Sequence, residues 1–247
     1  MTVTEFNNEF DINYNSIASN NAPGLDLYEK SVYLTKAQLE IVKNYFNPLG
    51  NKYKEGFESS SKRRTDLNEL IRSHESTTLV SSDKGVSTDS KFFTLPSDLF
   101  LIIQEQANIT SSDKCLNNTT LKVVPKTYDE YNIQIDNPFK NPDNKTIWRL
   151  DFYSQDNINK NVELISPYTI SKYKIRYIIY PEPIVLSDLN ILYPGESLSV
   201  DGISKPQTCK LTQSIHREIL DRAVELALSD YKQNNLATKT QLSSRNE

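Results

Sequence analysis

The hydrophobic periodicity of this sequence changes twice along its 247 residues. Apolar residues recur at helical spacing from Leu39 to Phe46, and from about Ser76 the pattern changes to short β-branched and aromatic runs between Pro, Asn, Asp and Ser clusters. Helical spacing returns after Thr212. The order helices, strands, helix predicts an α+β fold, in which N- and C-terminal helices pack together and a mainly antiparallel β domain is inserted between them.

Local signals place the individual elements. Thr35 and Gln38 match a capping box, so we expect a helix that runs from there to Phe46 and stops at Asn47-Pro48. A second helix is expected over Thr65–Ser73, and a third from near Ile215 to Tyr231. A further short strand pair is expected near Ile184 to Val200. The other predicted strands are Thr77–Val80, Phe92–Leu95, Leu99–Ile109, Leu121–Pro125, Ile133–Ile135, Ile147–Tyr153, Val162–Ile165 and Tyr173–Tyr180.

Residues 1–24 are polar and Asn-rich, which is typical of an extended N-terminal arm. Residues 1–30 hold five acidic side chains against Lys30 alone, so this segment accounts for the whole net charge of −4. We expect the arm to dock on a partner through its few apolar side chains. The predicted parts are the arm, a helical part (25–75 and 211–236), a β-rich domain (76–210) and a flexible tail (237–247), and the candidate docking residues are Phe6, Phe10, Ile12 and Tyr14.

The residue counts argue against several classes of enzyme. With His74 and His216 alone, and with Cys115 and Cys209 far apart, no zinc-binding spacing can be written. The six glycines form no GxG pair, so nucleotide-binding fingerprints are absent. Acidic pairs such as Asp129-Glu130 are too common to identify a hydrolase. We therefore expect no catalytic residues, no metal, no cofactor, and no membrane-spanning segment.

The segment from residue 124 to residue 151 holds three prolines and the single Trp148. Asn-Pro pairs start turns, so one interpretation is a braced hairpin loop with Trp148 packed inward and Arg149 paired outward. The other interpretation is that the loop protrudes and docks on a neighbouring subunit through Phe139. This candidate interface loop consists of Asn137, Pro138, Phe139, Lys140, Asn141 and Pro142.

Four stretches in this order resemble the head-to-tail connector proteins of crAss-like tailed bacteriophages. The similarity covers about residues 75 to 235, and the Tyr-Pro-x-Pro exit before the last helix also resembles the adaptor and tail tubular proteins of podovirus tails. The stretches are FFTLPSDLFLIIQEQ, YDEYNIQIDNPFKNPDNKTIWRLD, KYKIRYIIYPEPIVL and IHREILDRAVELALSDY.

The resemblance implies a structural virion protein of the neck or tail and no enzymatic activity. It implies a homo-oligomeric ring of about twelve copies, a dodecamer, that joins the portal protein to neighbouring tail or ring proteins. Double-stranded DNA is then expected to pass through the ring without sequence-specific binding. Assembly is expected in the cytoplasm of the bacterial host.

Two other functions stay open from the residues alone. A carbohydrate- or receptor-binding β-sandwich module of a phage tail is motivated by the 14 tyrosines and the strand-rich middle of the chain. Such a module would expose aromatic side chains, whereas a ring subunit would bury most of its tyrosines. A carboxylate-dependent hydrolase is the third possibility, because spatial clusters of acidic residues are not visible in a sequence.

Overall fold

The structure, a computed structural model, describes residues 1–18, 24–47, 56–77, 79–80, 85–137, 139–142, 145–153 and 160–232. The chain folds into two compact units. Unit 1 combines Met1–Leu70 with Pro181–Glu247, and unit 2 is the continuous segment Ile71–Tyr180. Residues 181–210, which the sequence pattern placed in the β-rich part, therefore cluster with the helical unit.

The described elements confirm the α+β class. The helices are α1 (Val3–Ala18), α2 (Leu27–Phe46), α3 (Ser61–Asp66), α4 (Tyr128–Gln134), α5 (Leu189–Leu192) and α6 (His216–Lys232), with 3-10 turns at Phe57–Ser59, Asn68–Leu70 and Gln213–Ile215. The strands are β1 (Ile71–Ser76), β2 (Leu79–Val80), β3 (Ser90–Thr94), β4 (Leu99–Thr110), β5 (Thr120–Pro125), β6 (Thr146–Tyr153), β7 (Lys160–Ile165) and β8 (Thr169–Ile179).

Helices α1, α2 and α6 contact one another in unit 1, so the N- and C-terminal helices pack together as expected. The prediction of an extended arm over residues 1–24 was wrong, because Val3–Ala18 is helical. Phe6, Phe10 and Tyr14 are four residues apart and therefore lie on one helix face, which is buried. Burial of this apolar face stabilises the helix despite its polar composition.

Helix α2 begins eight residues before the start that the sequence pattern predicted, because a different capping box closes its first turn. The Asp26 carboxylate accepts the Glu29 backbone N–H at 2.7 Å, and the Glu29 carboxylate accepts the Asp26 N–H at 3.0 Å. The predicted end is confirmed, since the helix stops at Phe46 with Asn47 as its C-cap.

Polar side chains of α2 bind the backbone of the extended segment 182–186. Gln38 donates to the Glu182 carbonyl at 2.9 Å. The Thr35 hydroxyl accepts the Ile184 N–H at 3.1 Å and lies 3.3 Å from the Ile184 carbonyl oxygen. Ser31 accepts the Leu186 N–H at 3.0 Å. Successive turns of the helix thus pair with alternate residues of the strand-like segment, which supplies hydrogen bonds that a sheet would otherwise provide. Thr35 and Gln38 therefore face this segment rather than a helix terminus.

Unit 2 is one eight-stranded sheet in the order β1-β8-β4-β5-β6-β7-β3-β2. Every neighbouring pair is antiparallel except β5 and β6, which are parallel. The inward side chains alternate with outward ones along the strands, as in β8, where Tyr173, Ile175 and Tyr177 are buried. The main core joins these three residues to apolar side chains of β3, β4, β5, β6 and β7.

Three local predictions were wrong for different physical reasons. The helix predicted over Thr65–Ser73 ends at Asp66, because Ile71–Ser76 pairs with β8 as an edge strand. The strand predicted at Ile133–Ile135 lies at the end of α4, whose N-terminus is closed by a Thr127–Glu130 capping box. The strand pair expected near Ile184 to Val200 is reduced to isolated bridges, because α2 takes the hydrogen bonds of this segment.

Candidate functional site

The predicted docking residues of the first segment divide into two groups. Phe6 and Phe10 are fully buried and Tyr14 is 3% exposed, so these three side chains belong to the core of unit 1. Ile12 lies on the opposite face and is 66% exposed. Asp11 fixes the helix further through an ion pair with the buried Lys30, at 2.7 Å. Of the four candidates, Ile12 is the side chain that the structure leaves available to a partner.

The predicted interface loop protrudes from unit 2. Phe139 is 97% exposed, while the Asn137 side chain holds the backbone around it. The Asn137 carboxamide oxygen accepts the Phe139 N–H at 3.0 Å, and its backbone carbonyl accepts the Lys140 N–H, also at 3.0 Å. Asn141 and Pro142 are half-buried, and Pro138 lies outside the described residues. The loop therefore has a fixed turn with an aromatic side chain in solvent.

The hairpin interpretation of this segment was wrong, because the strands on either side of it, β5 and β6, are parallel and α4 lies between them. Trp148 is 3% exposed and packs edge-on against Tyr131 with ring centroids 6.1 Å apart. Arg149 is not paired outward, however, and its side chain is only 12% exposed. The stem of the segment is thus a packed structural element, and its tip is an exposed apolar point.

A buried polar cluster lies on the core side of the sheet. Arg149 of β6 donates to the Glu105 carboxylate of β4 at 2.9 Å, and its second Nη lies 3.2 Å from Asp151. The Tyr173 hydroxyl of β8 donates to the same Glu105 oxygen. Burial alone would lower the pKa of Arg149, but the two carboxylates outweigh that effect and raise it. Burial, and then the Glu105 charge, raises the pKa of Tyr173. The cluster therefore holds fixed charges that link three strands.

A cavity of about 540 Å³ opens beside this cluster, between β4 and β5. The two strands pair only between residues 106–108 and 120–122, and β4 has register shifts on either side of Leu101 and Ile102. Glu105 and Arg149 lie at its wall and already bind each other. The Glu105 carboxylate already accepts hydrogen bonds from Arg149 and Tyr173, so the geometry does not indicate a general base.

His216 and Cys209 are both buried in unit 1. His216 is buried at the start of α6, where its Nε2 lies 2.9 Å from the Leu211 carbonyl oxygen and its Nδ1 lies 2.7 Å from the Met1 amino group. Burial lowers the pKa of His216. Burial also raises the pKa of Cys209 to about 11, which disfavours a thiolate nucleophile. Cys115 is exposed.

Other candidate sites find no support among the described residues. The Asp129-Glu130 pair lies in the first turn of α4, where Glu130 caps the helix and Asp129 is exposed. No group of three His, Cys, Asp or Glu side chains in the described part of the chain is arranged to hold a metal ion. Among the described helices, none is long and apolar enough to cross a membrane.

The described tyrosines do not form an exposed aromatic surface. Tyr131, Tyr173 and Tyr177 are buried. The two most exposed, Tyr128 and Tyr180, are 43% and 42% exposed, and each side chain makes a contact within the chain. The Tyr128 hydroxyl donates to the Asp151 carbonyl at 2.9 Å, and the ring of Tyr180 packs edge-on against Phe100. This arrangement does not favour a carbohydrate-binding platform.

The structure exposes two neighbouring apolar side chains of unit 1 that the sequence pattern did not reveal. Ile191 is 78% exposed and Leu192 is 41% exposed, both on the short helix α5 of unit 1. We call these two side chains the α5 patch. Leu189, on the same helix, is fully buried with Val185 and anchors it. A four-residue helix has too few residues for a periodicity signal, so no sequence pattern could have found this patch.

The comparison with known proteins decides the family. The model of the family described as phage tail ring protein 3/4 matches residues 1–240 of this chain. The chain belongs to this phage tail ring protein family. It is 43% identical to ring protein 4/5 of Bacteroides phage crAss001, over the full length of both chains. It is also 36% identical to ring protein 3 of the same phage, again over the full length of both.

Membership in this tail ring family confirms the resemblance to crAss-like phage proteins that four stretches of the sequence indicated. It supports a structural role in a tail ring and a location in the virion. Both relatives are named as ring proteins. The match extends well beyond residues 75–235 and includes α1 and α2.

Proposed function

We propose that this tail ring protein forms a closed homo-oligomeric ring of about twelve copies in the head-to-tail connector of the virion. The ring joins the portal to the tail, contacts neighbouring ring proteins, and surrounds part of the channel through which double-stranded DNA leaves the capsid. The observation that carries the proposal is the full-length similarity to two different ring proteins of one phage.

The surfaces of the subunit support an assembly role. A ring of identical subunits needs heterologous contacts, in which two different surfaces of the chain meet. The loop at residues 137–142 offers an aromatic side chain that is 97% exposed on a fixed turn. Aromatic residues of this kind commonly form the buried centre of protein interfaces. We propose that this loop docks on the neighbouring subunit, and that Ile12 on α1 contacts a further partner.

The experiment that tests the proposed function is the assembly state of the purified full chain. Analytical ultracentrifugation over a concentration series, followed by negative-stain microscopy, should reveal closed rings. Phe139→Ser should weaken ring formation at least tenfold, because the substitution removes about 1.5–3 kcal/mol of apolar burial at each interface.

The matched control is Tyr128→Ser, which also removes an exposed aromatic ring from the same segment. It should leave assembly within about threefold of the unmodified protein, because its hydroxyl is already engaged within the chain. A protein that stays monomeric at all concentrations, both alone and mixed with the portal protein, would contradict the proposed function.

A further inference from the structure

Four large apolar side chains of the described residues are 66% exposed or more, namely Phe139, Ile133, Ile191 and Ile12. Phe139 in unit 2 is 97% exposed and Ile191 in unit 1 is 78% exposed, and Leu192 beside Ile191 adds a second half-exposed aliphatic side chain. Large apolar side chains in solvent are common singly, but an aromatic tip and an aliphatic patch on different units form a complementary pair. Heterologous ring contacts require such a pair on every subunit.

The loop that carries Phe139 is already ordered, so it should lose little conformational entropy on docking. The Asn137 side chain and backbone hold the Phe139 and Lys140 N–H groups, each at 3.0 Å. A loop that is already ordered loses less conformational entropy when it binds. Phe139 is followed directly by the exposed Lys140, so an apolar ring and a cation emerge together from the turn. Asp136, three residues earlier, is the acidic side chain nearest in sequence among the described residues.

The α5 patch also lies on an ordered segment, and acidic side chains lie on that segment and next to it. The Asp188 carboxylate accepts the Asn190 N–H at 3.1 Å and caps α5. The Tyr193 hydroxyl donates to Asp26 at 2.8 Å. That hydrogen bond raises the pKa of Tyr193, and the negative charge of Glu196 acts in the same direction. Asp188 at the N-cap of α5 and Asp26 bonded to Tyr193 thus place two carboxylates on or next to the segment that carries the exposed aliphatic side chains.

We propose that Phe139 of one subunit packs on Ile191 and Leu192 of the neighbouring copy in the ring. Lys140 then faces the carboxylates beside the α5 patch, which fixes the direction of the contact. This inference rests on the proposed ring function and identifies the two surfaces that meet between adjacent copies. The aromatic ring and the aliphatic patch supply the apolar centre, and the charges form its polar rim.

Cysteine cross-linking tests this pairing directly. The exposed Cys115 is first replaced by Ser so that it does not compete. In that background, a chain carrying both Phe139→Cys and Ile191→Cys should form disulfides between copies under mild oxidation, because packed side chains bring the two Cβ atoms into range. Non-reducing electrophoresis should then show a ladder of covalent oligomers. A chain carrying only one of the two substitutions should give no ladder, because the remaining native Cys209 is buried.

The matched control is a chain carrying Phe139→Cys and Ile12→Cys, since Ile12 is comparably exposed and also lies in unit 1. This control should give no ladder. A charge exchange provides a second readout that does not depend on the disulfide. Lys140→Glu should weaken ring formation about tenfold, and adding Glu196→Lys should recover most of that loss.

The outcomes separate this inference from the proposed function. Rings that form normally, but give no ladder with the 139–191 pair and no recovery on charge exchange, would overturn the pairing while the ring function stands. A ladder of equal intensity with the 139–12 control would also overturn the pairing, because it would indicate random collision. A chain that never assembles would overturn both. Circular dichroism of every variant shows whether it is folded before assembly is compared.

Discussion

The hydroxyl of Thr35 should make a large contribution to the stability of unit 1. It accepts the Ile184 N–H at 3.1 Å and faces the Ile184 carbonyl oxygen at 3.3 Å, and the whole Ile184 residue is inaccessible to solvent. Thr35→Val keeps the size and branching of the side chain but removes both interactions. The Ile184 backbone groups are then left buried without this partner.

The expected cost follows from the desolvation of these groups. A buried backbone group without a partner costs about 1–3 kcal/mol, so two such groups predict a loss of about 3 kcal/mol in the free energy of unfolding. For a chain of this size, that loss lowers the melting temperature by roughly 6–12 °C. This is a large share of the roughly 5–15 kcal/mol that stabilises a typical domain.

Two spectroscopic probes can follow the two units separately. Far-UV circular dichroism at the helical minimum reports mainly on α1, α2 and α6 of unit 1. Fluorescence of the single, buried Trp148 reports on unit 2. Thermal and urea unfolding of Thr35→Val should shift the helical signal by the amounts given.

The matched control is Thr65→Val, which changes an exposed threonine whose hydroxyl donates to the Ser61 carbonyl of its own helix. It should change the stability by less than about 0.5 kcal/mol. A Thr35→Val protein that unfolds within 1 kcal/mol of the unmodified chain would refute the argument that α2 replaces a strand as the partner of residues 182–186.

Further predictions concern the buried charges and thiols. Arg149→Met should lower the free energy of unfolding by about 3–5 kcal/mol in denaturant, because Glu105 then stays buried without its cation. A decrease of less than about 1 kcal/mol would contradict the burial of the pair. The pKa of His216 in the folded protein lies below its unfolded value of about 6.5. The contribution of His216 to the free energy of unfolding should therefore be full above pH 6.5 and be lost as the pH falls through the folded pKa. His216→Asn should flatten this dependence of stability on pH. A thiol reagent should modify Cys115 in the native protein and Cys209 only after unfolding, and rapid native reaction of both would refute the burial of Cys209.

The fold class followed from periodicity, but several boundaries depended on contacts between distant residues. The change from helical to two-residue spacing predicted the α+β order, because burial of one face imposes that pattern on both kinds of element. Phe6, Phe10 and Tyr14 were spaced four apart, so a helical signal existed within the polar first segment. An extended arm was predicted because the polar, Asn-rich composition of this segment was given more weight than the helical spacing of its apolar residues.

Two capping boxes had the same appearance in the sequence but different roles in the structure. Asp26 and Glu29 close the start of α2, whereas Thr35 and Gln38 match the pattern inside the helix and bind the segment 182–186. The partner of Thr35 is 149 residues away, so local sequence could not distinguish the two.

The candidate surfaces were predictable to different degrees. Turn chemistry around Asn137 placed Phe139 at a loop tip, because Asn-Pro pairs start turns and a short loop leaves its tip in solvent. The cluster of Glu105, Arg149 and Tyr173 joins three strands that only the sheet order brings together, so no spacing in the sequence indicates it.

Electron cryomicroscopy of intact virions tests the central claim most directly. The account predicts a closed ring of this chain in the connector between portal and tail, with a central opening that admits duplex DNA. The density of each subunit should fit unit 1 and unit 2 and should contact the next copy through the loop at Phe139. A connector composed entirely of other proteins, with this chain absent or present as isolated copies outside the channel, would contradict the account.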